Sequence, residues 1–392
     1  MAITFDKMKK EHKVLYSNMW GGTEFCSDDF ITNKNWTGSK SKDSFFVKTP
    51  ETTKVFEKII PSLAKDLANA FELQNKNRFT EKLRQACGGS GKEAMKIATM
   101  HSSSLCSLLF FYNLSDECDK NKLVLELGNK ENTKRYSFYE SLFEFQNVVI
   151  SRGAPSNMDV VLLGYEIYNG KVDDSKPVVL FLESKFSEYY IGVAKHLDIS
   201  KAYLKNEYGE KIYNKLLGVK VGDDESVCKY SKKEDKDSEK QFRLSVRQEE
   251  YLDGIKQMIS HYIGVRNLLS REVVEKRACE AHKVVVDKII KDKAEVLLGS
   301  IIFDNLFEEV EDNKKYYGAY EGAHIELAKI LNEVSNGVKG VAGTDRLTVL
   351  EEPLTYTKLL EEMKKQNFQL DKKVEDYYFR KAKTTDSGTA DC

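Results

Sequence analysis

VVLFLESK, at residues 178 to 185, is a short apolar run that ends on two charged residues. Its length and its Val, Leu and Phe content are typical of a buried strand. A second run, MDVVLL at 158 to 163, is similar and carries a carboxylate at Asp159. Continuous apolar strands are usually central and covered on both faces. Because an unpaired charge there is costly, Asp159, Glu183 and Lys185 require a partner, and a divalent cation is the obvious one.

A hairpin between the two runs brings these charges together. Alternation along a strand places Glu183 and Lys185 on one face and turns Ser184 away. The stretch EIYNGKVDDSK, at 166 to 176, is polar and turn-rich, as a hairpin connection should be. Pairing through it sets Asp159 beside Glu183. Two carboxylates and a backbone carbonyl form a hard oxygen cage, which suits Mg²⁺, with Mn²⁺ as a substitute, better than Zn²⁺.

The short motif has little specificity when it is taken alone. With 62 acidic and 61 basic residues, the composition predicts about ten acid-x-base triplets by chance. The context adds weight, since an Asp opens one buried strand and Glu-x-Lys closes the next. The alternative is an edge hairpin with solvated charged ends, in which Lys185 pairs with Glu183 or Glu188.

This arrangement resembles the PD-(D/E)XK superfamily, the restriction-endonuclease-like nucleases. The resemblance implies an α/β fold with an αβββαβ core, in which helices flank a mixed central sheet, Asp lies on the second strand and Glu-x-Lys lies on the third. In this chain the core elements fall, in order, at helix 137–145, strands 145–151, 159–165 and 177–185, helix 248–269, and strand 294–303.

Three further strings are similar to those of a group of bacterial restriction enzymes in this superfamily. They are HSSSLCSLLFF at 101 to 111, KFSE at 185 to 188, and QMISH at 257 to 261. Their order along the chain is more informative than any one of them. Two positions depart from the family pattern: Met158 stands where the family has Pro, and Ser184 is polar where an apolar residue is usual.

The resemblance implies a metal-dependent endonuclease that hydrolyses DNA phosphodiester bonds. Asp159 and Glu183 would bind Mg²⁺, the carbonyl of Ser184 would complete the cage, and Lys185 would position the attacking water. The alternatives are an inactive module of the same fold that binds nucleic acid or protein, and a nuclease that acts on RNA or on DNA ends and flaps.

The resemblance also implies helix residues beside the metal. The acidic residue of the first core helix is Glu140 or Glu144, and we prefer Glu144 because it is nearer to the first strand. On the later helix, Gln257 and His261 are four residues apart and share a face. Gln257 is the candidate for contact with phosphate or water. A partly buried structural role is the favoured interpretation of His261.

Composition bounds the class of protein. Hydrophobic residues make up 41% of the chain and charged residues 31%, as in ordinary soluble proteins. Seven cysteines without CxxC pairs indicate reduced thiols. The absence of a signal-peptide core and of a bilayer-length apolar run predicts a cytoplasmic protein without membrane contact. The net charge of −1 argues modestly against the expected partner, duplex DNA. Cleavage of both strands of a duplex would call for a homodimer.

Four regions are expected along the 392 residues. A mainly helical region at 1–134 precedes the nuclease core at 135–305. The core carries a charged insertion near 219–241, which lacks the apolar residues needed to fold alone and is expected to be a mobile loop. A helix-strand-helix extension follows at 306–380, and a disordered tail at 381–392.

Overall fold

A mixed sheet with helices on both sides forms the centre of the molecule. The computed structural model describes residues 30–32, 45–47, 56–87, 97, 102–129, 132–147, 156–186, 196–200, 228–232, 241–246, 253–270, 280–304, 310–337 and 346–379. The strands are β1 (Phe30–Thr32), β2 (Phe45–Val47), β3 (Leu123–Leu127), β4 (Lys134–Asn147), β5 (Ser156–Tyr168), β6 (Lys171–Lys185), β7 (His196–Ser200), β8 (Cys228–Lys232), β9 (Gln241–Val246), β10 (Glu295–Ile302), β11 (Leu347–Val349) and β12 (Leu354–Thr355).

The central sheet has the strand order β11-β10-β6-β5-β4-β3, and β12 also pairs with β10. Strands β3 to β6 are antiparallel neighbours. Strand β10 is parallel to β6, so the chain crosses over between them, and β11 and β12 are parallel to β10. The predicted strands at 159–165, 177–185 and 294–303 are confirmed as β5, β6 and β10.

The β5–β6 hairpin has a two-residue turn, which is tighter than the connection expected at 166–176. Asn169 and Gly170 both have positive φ, at 49° and 77°. An Asn-Gly pair with this backbone matches the right-handed twist of the flanking strands. The turn therefore lets the two strands extend further than their apolar runs indicate.

The helices are α1 (Phe56–Ala70), α2 (Lys76–Ala86), α3 (Ser103–Phe111), α4 (Asp253–Ser270), α5 (Glu280–Ile290), α6 (Val310–Gly337), α7 (Tyr356–Lys365) and α8 (Lys372–Phe379). One core cluster joins α1, α2, α3, α7 and α8 to one face of the sheet. A second cluster joins α4, α5 and much of α6 to the other face. Helix α4 confirms residues 253–269 of the helix predicted at 248–269, and residues 248–252 lie outside the described ranges. No helix among the described residues is long and apolar enough to cross a bilayer.

The helix predicted at 137–145 is wrong, because these residues belong to β4. The strand predicted at 145–151 begins earlier, at Lys134, and residues 148–151 lie outside the described ranges. Adjacent residues Leu142 and Phe143 are both buried, and they enter the two different core clusters. A strand covered on both faces buries neighbours in this way, and its apolar spacing then imitates a helix.

The charged segment 219–241 is not wholly a loop as predicted. It contains β8, which pairs with β9, and β7 completes a separate three-stranded sheet. Backbone hydrogen bonds to a partner strand organise a segment that has too few apolar residues to fold alone. Its other residues and the tail at 381–392 lie outside the described ranges.

Candidate active site

The two central strands separate at one end of the sheet. Pairing between β5 and β6 ends at Val160 and Leu182. Beyond that point β5 stays paired with β4 as far as Ser156, and β6 stays paired with β10 as far as Lys185. Since each strand keeps its outer neighbour, a gap opens between the inner edges of β5 and β6. The predicted Asp and Glu-x-Lys residues occupy this gap.

Asp159 closes the end of the β5–β6 ladder with its side chain. Its Oδ2 accepts a hydrogen bond of 2.7 Å from the backbone N–H of Ser184, and its Oδ1 accepts one of 3.4 Å from the Ser104 hydroxyl. The carboxylate thus takes the place of a backbone carbonyl on the neighbouring strand. The hydrogen bond from Ser104 brings the N-terminal turn of α3 to the site.

Glu183 is buried and both of its carboxylate oxygens are bonded within the chain. Oε1 accepts from the Lys185 ammonium at 2.7 Å, and Oε2 lies 2.8 Å from Nε2 of His261. Glu183 and Lys185 are each 4% exposed and His261 is 2% exposed. The edge-hairpin alternative also predicted that Lys185 pairs with Glu183, but it predicted a solvated pair. In the structure the pair is buried.

Glu144 reaches the site from β4 and not from a helix. Pairing of Phe143 with Val160 and of Phe145 with Met158 sets Glu144 opposite Asp159. Glu144 is buried and has a φ of 51°, a left-handed conformation that is unusual for a strand residue.

Glu140 lies in a different environment. Its Oε1 accepts from Lys82 at 2.6 Å and from Arg78 at 3.1 Å, and both of those residues are on α2. Of the two predicted carboxylates, the structure therefore brings Glu144, and not Glu140, next to Asp159.

The carboxylates of the site repel one another. Burial raises the pKa of Asp159 well above its usual value, and the charges of Glu183 and Glu144 raise it further, while Lys185 and the Ser184 N–H oppose the shift. Burial also acts to raise the pKa of Glu183, but Lys185 and His261 outweigh it and hold that pKa below its ordinary value. The site therefore contains one stably ionised carboxylate and one that lacks a cation of its own.

Gln257 lies one helical turn before His261 on α4. Its side-chain oxygen is buried and has no hydrogen-bond partner among the residues that the structure describes. A buried acceptor of this kind is costly unless a donor such as water or an ion reaches it. Gln257 therefore remains a candidate for contact with phosphate or water.

Three further contacts of the site were not predicted from the sequence. The Ser156 hydroxyl lies 2.8 Å from Nδ1 of His261, and the Ser184 hydroxyl contacts the Tyr356 hydroxyl at 2.8 Å and donates to the carbonyl of Ser103 at 3.1 Å. Tyr356 begins α7, so both faces of the sheet support the site. The residues are far apart along the chain, and the signals were the strings at 101–111 and 257–261 and the four-residue spacing of Gln257 and His261.

The donor set fits a hard divalent cation in its chemistry. Glu144, Asp159 and Glu183 offer carboxylate oxygens, which Mg²⁺ prefers, and a cation would relieve the repulsion that raises the pKa of Asp159. Within the described ranges, no group of three or more His, Cys, Asp or Glu side chains is arranged to hold an ion. The oxygens of Glu183 are instead directed at Lys185 and His261.

Comparison of the chain with family models, with curated proteins and with solved structures finds no match.

Proposed function

We propose that this protein is a Mg²⁺-dependent endodeoxyribonuclease of the restriction-enzyme type. The observation that carries the proposal is the separation of β5 and β6 beyond Val160 and Leu182, which puts Asp159 and Glu183 in one gap with Lys185. The order of β4, β5, β6, α4 and β10, with β10 parallel to β6, supports part of the arrangement that the PD-(D/E)XK resemblance implies, although β3 adds an antiparallel strand and residues 137–145 do not form the first core helix.

In this proposal Asp159, Glu183 and the carbonyl of Ser184 would hold the ion. When bound, Mg²⁺ neutralises charge on a phosphate and makes nearby water more acidic. Lys185, whose ammonium donates to Oε1 of Glu183 at 2.7 Å, would orient the attacking water. Glu144 would add negative charge on the opposite side of Asp159.

The substrate follows from this chemistry. Two carboxylates, one lysine and a divalent ion suit in-line attack on a phosphodiester, because each group acts on water or on phosphate oxygens. Duplex DNA is the proposed substrate, and a homodimer would cut both of its strands. Because these groups act on water and on phosphate, sequence recognition would belong to other parts of the chain.

A second candidate is a module of the same fold that binds without cutting. It is favoured by the contacts of Glu183, because each of its two oxygens already lies within hydrogen-bond distance of Lys185 or His261. Calorimetric titration with Mg²⁺ or Mn²⁺ distinguishes the two. A nuclease shows binding that is lost in Asp159→Asn, whereas the module shows no binding that depends on Asp159.

The test of the nuclease proposal is cleavage of circular plasmid DNA by the purified full chain, with Mg²⁺ or with EDTA. Asp159→Asn keeps an oxygen for the Ser184 N–H but removes the charge, and we expect a loss of about 100-fold or more. The matched control is Asp173→Asn, at the hairpin end of β6, which should cleave like the wild type. Equal cleavage by the Asp159→Asn variant would contradict the assignment.

Parallel reactions with matched RNA, single-stranded DNA and duplex DNA identify the preferred substrate. A duplex preference supports the restriction-type proposal. Cleavage confined to RNA or to free ends would assign the protein to a different class of nuclease with the same site.

A further inference from the structure

A hydrogen-bonded chain runs from the start of β5 to the end of β6 through a histidine on α4. The Ser156 hydroxyl lies 2.8 Å from Nδ1 of His261, and Nε2 of the same ring lies 2.8 Å from Oε2 of Glu183. His261 is almost fully buried. The ring therefore bridges the two strands on either side of the gap.

These contacts determine which nitrogen carries the proton. Glu183 faces the Lys185 ammonium and His261, so as a carboxylate it can only accept, and Nε2 must donate to it. The Ser156 hydroxyl can donate or accept, so it fits Nδ1 whether or not that nitrogen carries a proton. Glu183 therefore requires the proton on Nε2, and Ser156 holds the opposite edge of the ring.

We infer that His261 is a positioning residue of the proposed metal site and that Ser156 holds its ring in place. This inference rests on the proposed function. A carboxylate offers about four lone-pair sites, and Lys185 and His261 occupy two of them, which leaves acceptor positions for an ion. Among the described residues, His261 makes the contact to Oε2 of Glu183, so its loss would release that oxygen. Outer hydrogen bonds of this kind typically change metal affinity about 10- to 100-fold.

Two substitutions separate the two ring contacts. In His261→Gln, the side-chain N–H donor lies at the same distance along the side chain as Nε2, so it can still reach Glu183. In His261→Asn, the amide lies where Nδ1 was, so it stays near Ser156 but has no donor for Glu183. Both variants remove the ring, and because Asn is one methylene shorter than Gln, the urea unfolding of each variant measures the packing loss separately from the loss of Mn²⁺ affinity.

The experiment is calorimetric titration of the full chain with Mn²⁺, together with urea unfolding of each variant. We expect the affinity of His261→Gln to stay near that of the wild type and the affinity of His261→Asn to fall about 10- to 100-fold. Nitrogen-detected NMR of the histidine ring in the metal-free wild type should show the proton on Nε2. In Ser156→Ala the proton should stay on Nε2, because Glu183 still accepts there, while loss of the Ser156 contact should weaken Mn²⁺ binding.

The outcomes distinguish this inference from the function on which it rests. If the wild type binds Mn²⁺ through Asp159 and His261→Asn binds it equally well, the positioning role is overturned and the metal site stands. A wild-type proton on Nδ1 also overturns the role. Failure of the folded wild type to bind Mn²⁺ overturns both the role and the proposed function.

Discussion

Glu144 has a left-handed backbone inside a strand, with a φ of 51°. For a residue with a Cβ this conformation costs about 1–2 kcal/mol. Such strain persists where the surrounding structure overrides local preference, and it is concentrated at functional sites. Around it, Leu142 and Phe145 pack into the same core cluster although they are three residues apart, so the regular alternation of the strand is interrupted here. The irregular backbone accompanies the placement of a third carboxylate beside Asp159.

Replacing Glu144 by Gly and by Ala tests the strain. Both changes remove the carboxylate, but only Gly adopts positive φ without cost, so we expect Glu144→Gly to be about 1 kcal/mol more stable than Glu144→Ala in urea unfolding. Glu126, on β3, is the control. Its φ is not positive, and Gly should be less stable than Ala there. The same order of stability at both positions would show that Glu144 is not strained.

His324 predicts a pH dependence of stability. Burial lowers its pKa from 6.5 to about 4, against a weaker upward effect of its hydrogen bond to the Leu350 carbonyl. Between these values the unfolded chain binds a proton that the native state does not, so stability is full above about pH 6.5 and declines as the pH falls toward 4. The loss amounts to about 2 kcal/mol by pH 5.

The measurement is the free energy of unfolding in urea at neutral and at mildly acidic pH, for the wild type and for His324→Gln. The variant should lose about 2 kcal/mol less over this pH range, because its side chain takes up no proton in the unfolded state. The contact of Ser300 with Nδ1, at 2.9 Å, is replaced in the variant at both pH values and so cancels from the difference. An unchanged pH dependence would show that His324 titrates normally.

At the scale of elements, the β5–β6 hairpin and the β4–β5 pairing determine where the site residues meet. The Asn169–Gly170 turn sets the register of the strand ends beside it, and an irregularity between Tyr165 and Glu166 then shifts the pairing so that Asp159 reaches the level of Glu183. Farther along β5, Gly164 lies against the backbone of β4. A Cβ built there would lie 2.4 Å from the Ser137 carbonyl oxygen. Two glycines of one strand pair are therefore required for different physical reasons.

Alanine at each glycine separates these reasons. Gly170→Ala meets no atom within 4 Å and suffers only from its φ of 77°, so we expect a loss of about 1 kcal/mol. Gly164→Ala has an ordinary φ but must push β4 away, so its loss should be larger, about 3 kcal/mol. Thermal or urea unfolding of the two variants provides the comparison. A smaller loss of stability for Gly164→Ala than for Gly170→Ala would mean that the backbone of β4 shifts at little cost.

At the scale of the whole molecule, the central sheet takes strands from all three expected regions before the tail. β3 lies before residue 135, and β11 and β12 lie after residue 305. Tyr356 and Tyr377, from the last two helices, are fully buried in the core cluster that also contains α1 to α3. The Tyr112 hydroxyl also donates to Asp371, which joins the end of α3 to the start of α8.

This organisation predicts that a fragment of residues 135–305 does not fold alone. The fragment would expose the sheet face that α1, α2, α3, α7 and α8 cover. It would also lose the outer strands β3, β11 and β12. We expect far-ultraviolet circular dichroism to show no cooperative thermal transition for the fragment, beside a single transition for the full chain. A cooperative transition in the fragment would establish the core as an independent domain.

Much of the sheet was predictable because its central strands are continuous apolar runs. β5, β6, β10 and α4 have the periodicity and length of buried elements, and a polar stretch joins β5 to β6. The meeting of Asp159 with Glu183 followed from hairpin pairing. β4 was not predictable, because burial on both of its faces produces an apolar spacing that a helix would also show, and only its two partner strands resolve the ambiguity.

By itself, the sequence determined features that depend on neighbouring residues. It indicated which apolar runs are the strands β5, β6 and β10, and that Glu183 and Lys185 share a face of β6. It also indicated that Asp159 and Glu183 lie at the same end of a hairpin. The tertiary structure decided that β5 and β6 separate at that end, that Glu144 joins from β4, and that His261 bonds to Glu183 across 78 residues. Hairpin pairing depends on residues close in sequence. The separation and the histidine contact depend on how α4 and β10 pack against the sheet, which no local pattern encodes.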